Sequence, residues 1–435
     1  MVDRREFLAA AALAAGVGSA QAAPQLAVNG GTAVRAKPLG GANWGPEYYD
    51  GKEQRQLEEV LEGRNPFRFS NPPDKSKVAR FENEFAARMQ TRYALAVTSG
   101  TAALHVAMAA LEVGPGDEVI LPAWTWYSCY NTVIQAGGLP VFAEIDESFN
   151  IDPTAIEPLI TPQTKVIMAV HLQGNPADMD PILAVARKHR LKVLEDASQS
   201  VGASYKGKPL GSMGDIGIYS LQQSKTITAG EGGVLVTGDP YLFERSCRFH
   251  DVVARKDFPN KLGYIPGLNY RMNEFTGGVL LAQLRKLDTI IGDVRRNARR
   301  VYSGIRDLED VRQRRLPDPQ GELGTGIFLG FRTKEERQRY ADAMKAEGVP
   351  VSGPAGSVIL PVVPEIEQKV TVTPRWPSFS SDRGKSIRYG RECCARTIDI
   401  LSRYAGVMMN PKYTEADTED AIAAVRKVHP AIVRG

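Results

Sequence analysis

A single lysine, Lys225, sits in the turn of Tyr219-Ser220-Leu221-Gln222-Gln223-Ser224-Lys225-Thr226-Ile227-Thr228-Ala229-Gly230-Glu231-Gly232-Gly233. The apolar run 216–221 reads as a buried strand that ends in this polar turn. A glycine-rich turn and a second strand, 234–236, follow. Such a turn is a poor place for a solvated charge. It suits an amine that condenses with a carbonyl, because desolvation favours the neutral, nucleophilic form. Read alone, the stretch also fits a hairpin with a surface lysine.

Three more stretches could share chemistry with it. Leu194-Glu195-Asp196-Ala197-Ser198-Gln199 ends a strand with a carboxylate, which needs a cationic partner if it is desolvated; a structural cap is the plainer reading. Ser99-Gly100-Thr101-Ala102 ends another strand and opens a helix, where free N–H groups and the helix dipole suit a phosphate. Simple N-capping by Ser99 or Thr101 is the alternative. Pro122-Ala123-Trp124-Thr125-Trp126-Tyr127 offers three aromatics, either core or a surface on which a planar ring can stack. The spacings of a P-loop and of a dinucleotide-binding glycine fingerprint are both absent. A phosphate cradle, a flat face, a carboxylate and a buried lysine are what pyridoxal phosphate requires.

The elements that must position these groups alternate. Strands are expected at 93–97, 118–121, 139–142, 165–170 and 191–194, with helices at 102–111, 127–136, 153–160 and 180–189 between them. This predicts an α/β chain with a mostly parallel sheet, helices on both faces, and ligands beyond the carboxyl ends of the strands. Helices are also expected at 53–62, 77–90, 241–249, 274–288 and 293–308. A Pro- and Gly-bearing break at 316–326 precedes a strand at 327–331 and helices at 334–347 and 417–428, which read as a smaller C-terminal α+β domain. The expected divisions are a signal at 1–22, an arm at 23–50, a large domain at 51–295 and a small domain at 296–435.

Composition narrows the class. The 435 residues are 43% hydrophobic, ample for a core of this size, and the formal net charge of +4 is too small and dispersed to argue for nucleic acid. The one dense basic run, Arg295-Arg296-Asn297-Ala298-Arg299-Arg300, lies in a helical pattern and reads as a solvated or interface face. Four cysteines and five histidines show no metal-ligand spacing, so no metal is expected. The N-terminus carries Arg4-Arg5, then Phe7-Leu8, a short alanine-rich run and Ala20-Gln21-Ala22, the pattern of a twin-arginine export signal. No other stretch is long and apolar enough to span a bilayer, so no stable membrane anchor is expected. The signal pattern predicts export to the periplasm; an alanine-rich helix in a cytoplasmic protein is the alternative reading.

Several motifs, in order, resemble the DegT/DnrJ/EryC1/StrS family of pyridoxal-phosphate-dependent sugar aminotransferases. They are Ser99-Gly100-Thr101-Ala102-Ala103-Leu104-His105, Gly114-Pro115-Gly116-Asp117-Glu118-Val119, Val170-His171-Leu172-Gln173-Gly174, Glu195-Asp196-Ala197-Ser198-Gln199, the Lys225 hairpin and Asn269-Tyr270-Arg271-Met272-Asn273-Glu274. The resemblance implies the fold-type-I aminotransferase architecture and a homodimer with shared active sites. It implies that Lys225 binds the cofactor covalently and shuttles a proton, that Asp196 pairs the ring nitrogen, that Gln199 lies beside the phenolic oxygen and that Trp126 stacks on the ring. Ser220, Thr101 and the backbone at Ala102 would hold the phosphate, with Asn269 reaching it from the neighbouring subunit. The implied activity moves an amino group from glutamate or glutamine to a keto sugar or cyclitol ketone. The family's dehydratase branch carries histidine where this chain has Lys225. Residues 357–364 lack the histidines of many sugar aminotransferases, and the aromatic and hairpin motifs look closer to the aminocyclitol and aminohydroxybenzoate branches. A lyase acting on an amino acid and a non-catalytic, cofactor-bound sensor are the alternatives.

Overall fold

The computed structural model describes residues 25–41, 44–253, 261–354 and 357–433. The export signal expected over 1–22 lies outside them. The strands that build the floor of the site are β1 (Tyr93–Val97), β2 (Glu118–Pro122), β3 (Trp124–Thr125), β4 (Leu139–Ala143), β5 (Thr164–Val170), β6 (Lys192–Asp196), β7 (Ile216–Ser220) and β8 (Gly233–Thr237). All but β3 form one sheet in the order β1-β8-β7-β6-β5-β2-β4. From β4 to β7 every neighbour is parallel, while β8 runs antiparallel to β7 and β1. Strands such as β2 and β4 are buried at every position, which is why they read as unbroken apolar runs rather than alternating ones.

Helices α1 (Gly51–Gly63) and α2 (Lys77–Arg88) precede the sheet. Asp50 caps α1 by accepting from Lys52 N (2.7 Å), and Glu53 returns to the Asp50 N–H (2.9 Å). Helices α3 (Gly100–Ala110), α4 (Tyr127–Gln135), α5 (Met179–His189) and α6 (Pro240–Phe249) follow strands, as the alternation predicts. The helix expected at 153–160 stays α-helical only over Pro153–Ile156 and tightens to a 3-10 turn, because Pro158 cannot donate inside a helix.

The stretch expected as one helix at 274–288 is divided between α7 (Glu274–Leu284) and α8 (Leu287–Ile305). At the break, Lys286 Nζ turns back to both Glu53 carboxylate oxygens (2.7 Å each) and to Tyr48 O (2.6 Å). Helix α8 then passes from one core to another: Leu287, Ile290 and Ile291 belong to the large one, Val294, Ala298, Val301 and Ile305 to the small one. The small unit pairs β9 (Arg312–Gln313), β10 (Gly326–Gly330) and a strand at Tyr404–Met408 in an antiparallel sheet, with α9 (Lys334–Ala346) beside it. Between them β11 (Val358–Ile359) pairs with β3, α10 (Ala395–Arg403) leads into that third strand, here β12, and α11 (Glu415–Val433) ends the described chain. In the basic run on α8, Arg296 pairs with Asp293 (2.8 Å) and Arg300 with Glu415 and Glu419 (2.6 and 3.0 Å).

The arm docks on the small unit. Leu26 and Leu39 enter its core, and buried Glu347 accepts from Ala27 N (2.8 Å), Val34 N (3.1 Å) and Lys427 Nζ (2.8 Å). Among the described residues no helix is long and apolar enough to cross a membrane.

Candidate active site

A cavity of about 680 Å³ opens beyond the carboxyl ends of β5, β6 and β7 and is closed on one side by Met408 and Met409 of the small unit. Ser99, Thr101, Trp126, Asp196, Gln199, Ser220 and Lys225 all line it. The topology therefore gathers residues spread over some 130 positions of sequence, as a parallel sheet with its loops at one end must.

At the N-terminus of α3, Ser99 Oγ accepts from Ala102 N (3.0 Å). The cap therefore takes the backbone donor that the family resemblance assigned to a phosphate. The donors left at this helix start, which have no intrahelical acceptor, include the N–H groups of Gly100 and Thr101, two residues and one residue earlier. Thr101 Oγ1 lies 2.7 Å from Ser128 Oγ. The end of β7 comes so close that a Cβ on Gly100 would stand 2.7 Å from Ser220 Cβ.

The hairpin after β7 is held by Leu221 N to Gly232 O (2.8 Å), Gln223 N to Gly230 O (2.9 Å) and Thr228 Oγ1 to Leu221 O (2.8 Å). Gly230 has φ 85°, a left-handed conformation that glycine adopts without strain. Lys225 sits in this loop, its N–H donating to Gln222 O (2.9 Å). Burial pushes the Lys225 amine below the usual lysine range, and the Asp196 charge opposes the shift. Among the described residues its Nζ has no hydrogen-bond or ion-pair partner.

Asp196 is 4% exposed at the end of β6. Its Oδ1 accepts from Ser198 N (2.9 Å) and its Oδ2 from the Cys129 thiol (3.3 Å). Beneath it, Glu195 is fully buried and accepts four bonds: Oε1 from Met213 N (2.7 Å) and Gly214 N (2.6 Å), Oε2 from Gly211 N (2.9 Å) and His171 Nε2 (3.1 Å). His171 Nδ1 accepts from Ala177 N (3.0 Å), which assigns the ring proton to Nε2. Gln199 is oriented by Gln173 N, which donates to its Oε1, and by Ser357 Oγ, which accepts from its Nε2, each at 3.1 Å.

Of the three aromatics, Trp124 is core, edge-on to Phe149. Trp126 is 51% exposed and faces the cavity, with Tyr127 edge-on beside it. Asn269 is exposed and stands apart from this cavity; its Oδ1 accepts from Arg271 N (3.4 Å). Sequence reasoning missed the Ser128, Cys129 and Ser357 contacts. Cys129 had a signal, four residues after Thr125 on a helix that starts at the site.

Residues 50–352 match the model of the DegT/DnrJ/EryC1/StrS aminotransferase family. The GDP-perosamine synthase of Caulobacter vibrioides is 44% identical over 48% of this chain and 57% of its own length, so the match spans just over half of that relative. The L-glutamine:2-deoxy-scyllo-inosose aminotransferase of Streptomyces kanamyceticus is 36% identical over 67% of this chain and 70% of its own. Among solved structures, 3-amino-5-hydroxybenzoic acid synthase superposes with a TM-score of 0.72 at 28% identity, over 90% of this chain and 100% of that one.

Proposed function

The chain belongs to the DegT/DnrJ/EryC1/StrS aminotransferase family, and from that premise we propose that it carries an amino group from glutamine or glutamate to the ketone of a cyclitol or keto sugar. The family is pyridoxal-phosphate-dependent; when bound, that cofactor supplies an aldehyde that captures amines and a ring that accepts electrons. The residues fit it. The close approach of α3 to β7 leaves no room for a Cβ at Gly100 and brings the start of α3, with Gly100 and Thr101, beside Ser220 in the lining of the cavity. A phosphate belongs there.

In this reading Asp196 pairs the ring nitrogen, Trp126 covers one face and Gln199 lies beside the phenolic oxygen. Lys225 Nζ holds the cofactor and moves the proton at the α-carbon of the amino donor. The observation that carries the proposal is the Lys225 amine, which burial pushes toward its neutral form in the cavity that Asp196 also lines. A neutral amine is both nucleophile and base. Toward the small unit the cavity is lined by Gln173, Thr325, Met408 and Met409, neutral polar and apolar groups that suit a polyhydroxylated ring. Together with the absence of histidines at 357–364, this favours a cyclitol-type acceptor over a nucleotide sugar. We further propose a homodimer in which Asn269 of one copy completes the phosphate site of the other, and export of the folded protein through the twin-arginine signal.

The test is the visible spectrum of the protein reconstituted with pyridoxal phosphate, before and after L-glutamine or L-glutamate. The expected result is a lysine-bound cofactor band that either donor converts, and its loss in Lys225→Ala. Release of ammonia together with keto acid over many turnovers, with no acceptor present, would establish the lyase alternative instead, whereas the transaminase stops at one equivalent of keto acid and frees no ammonia from the α-amino group. A band that ignores every donor would establish the sensor.

A further inference from the structure

The carboxylate of Asp196 has one contact that the site chemistry leaves unexplained. Cys129, on the first turn of α4, is 0% exposed and lies 3.3 Å from Asp196 Oδ2. Burial, reinforced by the Asp196 charge, pushes its thiol well above the usual range, so the sulfur keeps its proton and is the donor. The same sulfur lies 3.2 Å from Thr125 Oγ1, which is also fully buried. With the thiol proton committed to Asp196, the Thr125 hydroxyl donates to sulfur, and a short relay runs Thr125 to Cys129 to Asp196.

Both ends of the relay are anchored by backbone. Thr125 lies on β3, in register with Val358 of β11, and Leu360 N continues that ribbon to Ala123 O (2.8 Å). Asp196 ends β6, its backbone oxygen accepting from His171 N (2.9 Å) and the following N–H reaching Ile218 O (2.9 Å). The backbone thus fixes where Asp196 is but not how its carboxylate is turned. Ser198 N holds one oxygen and the thiol holds the other, which leaves a lone pair on each for a ligand.

We propose that Cys129 is a positioning residue: its thiol, held by Thr125, donates to Asp196 Oδ2 and fixes the plane in which that carboxylate meets the cofactor's ring nitrogen. The inference rests on the reading of Asp196 given above. A thiol is a weak donor, so it orients the carboxylate while drawing off little of the charge the ring nitrogen needs.

Two measurements test it. The first is the S–H stretching band of Cys129 in the cofactor-free protein, identified by its disappearance in Cys129→Ser. Asp196→Asn should move that band toward the frequency of a weaker hydrogen bond; an unmoved band overturns the proposal. The second is the rate at which bound pyridoxal phosphate is lost to a scavenger. Cys129→Ala should speed loss by about tenfold and Cys129→Ser by no more than about threefold, the size expected when one bond to a charged group is removed or replaced. In an Asp196→Ala background Cys129→Ala should add nothing, because the two act as one unit. An equal effect with and without Asp196 would overturn the proposal by making Cys129 a packing residue. A band that responds to Asp196→Asn, in a protein whose cofactor loss ignores every change at Asp196, would overturn it through the ring-nitrogen reading instead.

Discussion

Replacing Glu195 by glutamine changes one atom and should cost a large share of the protein's stability. The side chain is fully buried and accepts four N–H groups, two on each oxygen. Glutamine keeps one carbonyl oxygen, which can serve two of them, and turns an amide nitrogen toward the other two. If the oxygen stays with Met213 and Gly214, the NH₂ faces Gly211 N–H and His171 Nε2–H. The imidazole cannot switch tautomer to accept, because its Nδ1 is taken by the Ala177 N–H. Turning the amide over only moves the conflict to Met213 and Gly214. Two buried donors are orphaned in either case, at about 1–3 kcal/mol each, so the loss should be roughly 2–6 kcal/mol. That compares with a net stability of about 5–15 kcal/mol for a typical domain. The assay is denaturant unfolding of the cofactor-free protein, read as a fall in midpoint at constant slope. A loss below about 1 kcal/mol would refute the four-acceptor account of Glu195.

Three other outcomes follow from the same geometry. Gly100→Ala places a Cβ 2.7 Å from Ser220 Cβ and forces α3 and β7 apart where the phosphate is proposed to sit; affinity for pyridoxal phosphate should fall about tenfold by equilibrium titration, with a stability loss of about 1–3 kcal/mol. Asp196→Asn removes the charge that holds the Lys225 amine up against burial, so the rise of cofactor-capture rate with pH should move to lower pH, measured by stopped-flow absorbance. His429 is buried beside Phe331 and Tyr340, neither ring nitrogen has a hydrogen-bond partner among the described residues, and burial pushes its pKa down. The unfolded chain therefore takes up a proton that the folded chain resists. Stability is full above about pH 6.5 and falls as pH drops toward the folded value. His429→Leu should flatten that acid-side fall in the unfolding midpoint.

Much of this site is legible in the sequence because its parts stand at strand ends, where local pattern is strongest. Asp196 ends an apolar run, Ser99 caps a helix, and Lys225 sits between two strands that pair as a hairpin. Those signals are short-range, and the alternation of strand and helix supplies the rest. Three features are illegible for one shared reason. The docking of the arm on Glu347, the break at Lys286 and the Thr125–Cys129–Asp196 relay each join residues tens to hundreds of positions apart through polar side chains. Periodicity registers apolar faces and carries no record of which buried carboxylate a distant N–H will meet. The small unit was harder to read for a different reason. Strand β12, Tyr-Ala-Gly-Val-Met, has glycine at its centre and no alternation, so its place is set by pairing with β10 rather than by its own pattern.

The placement of adjacent carboxylates on β6 has a functional logic of its own. Successive residues of a strand point to opposite faces, so Glu195 and Asp196 cannot share partners. Glu195 is saturated by four fixed donors and has no capacity left for a ligand. Asp196 has two donors, one of them a weak thiol, and lines the cavity. The saturated carboxylate ties the 211–214 loop and His171 to the strand and so stiffens the backbone from which the unsaturated one works. On this argument the defect of Glu195→Gln should extend beyond stability. At a denaturant-free temperature where the variant is folded, its cofactor should also be lost faster, by a factor that vanishes in an Asp196→Ala background. Cofactor loss unchanged in folded Glu195→Gln would separate the two carboxylates and leave Glu195 a residue of the fold alone.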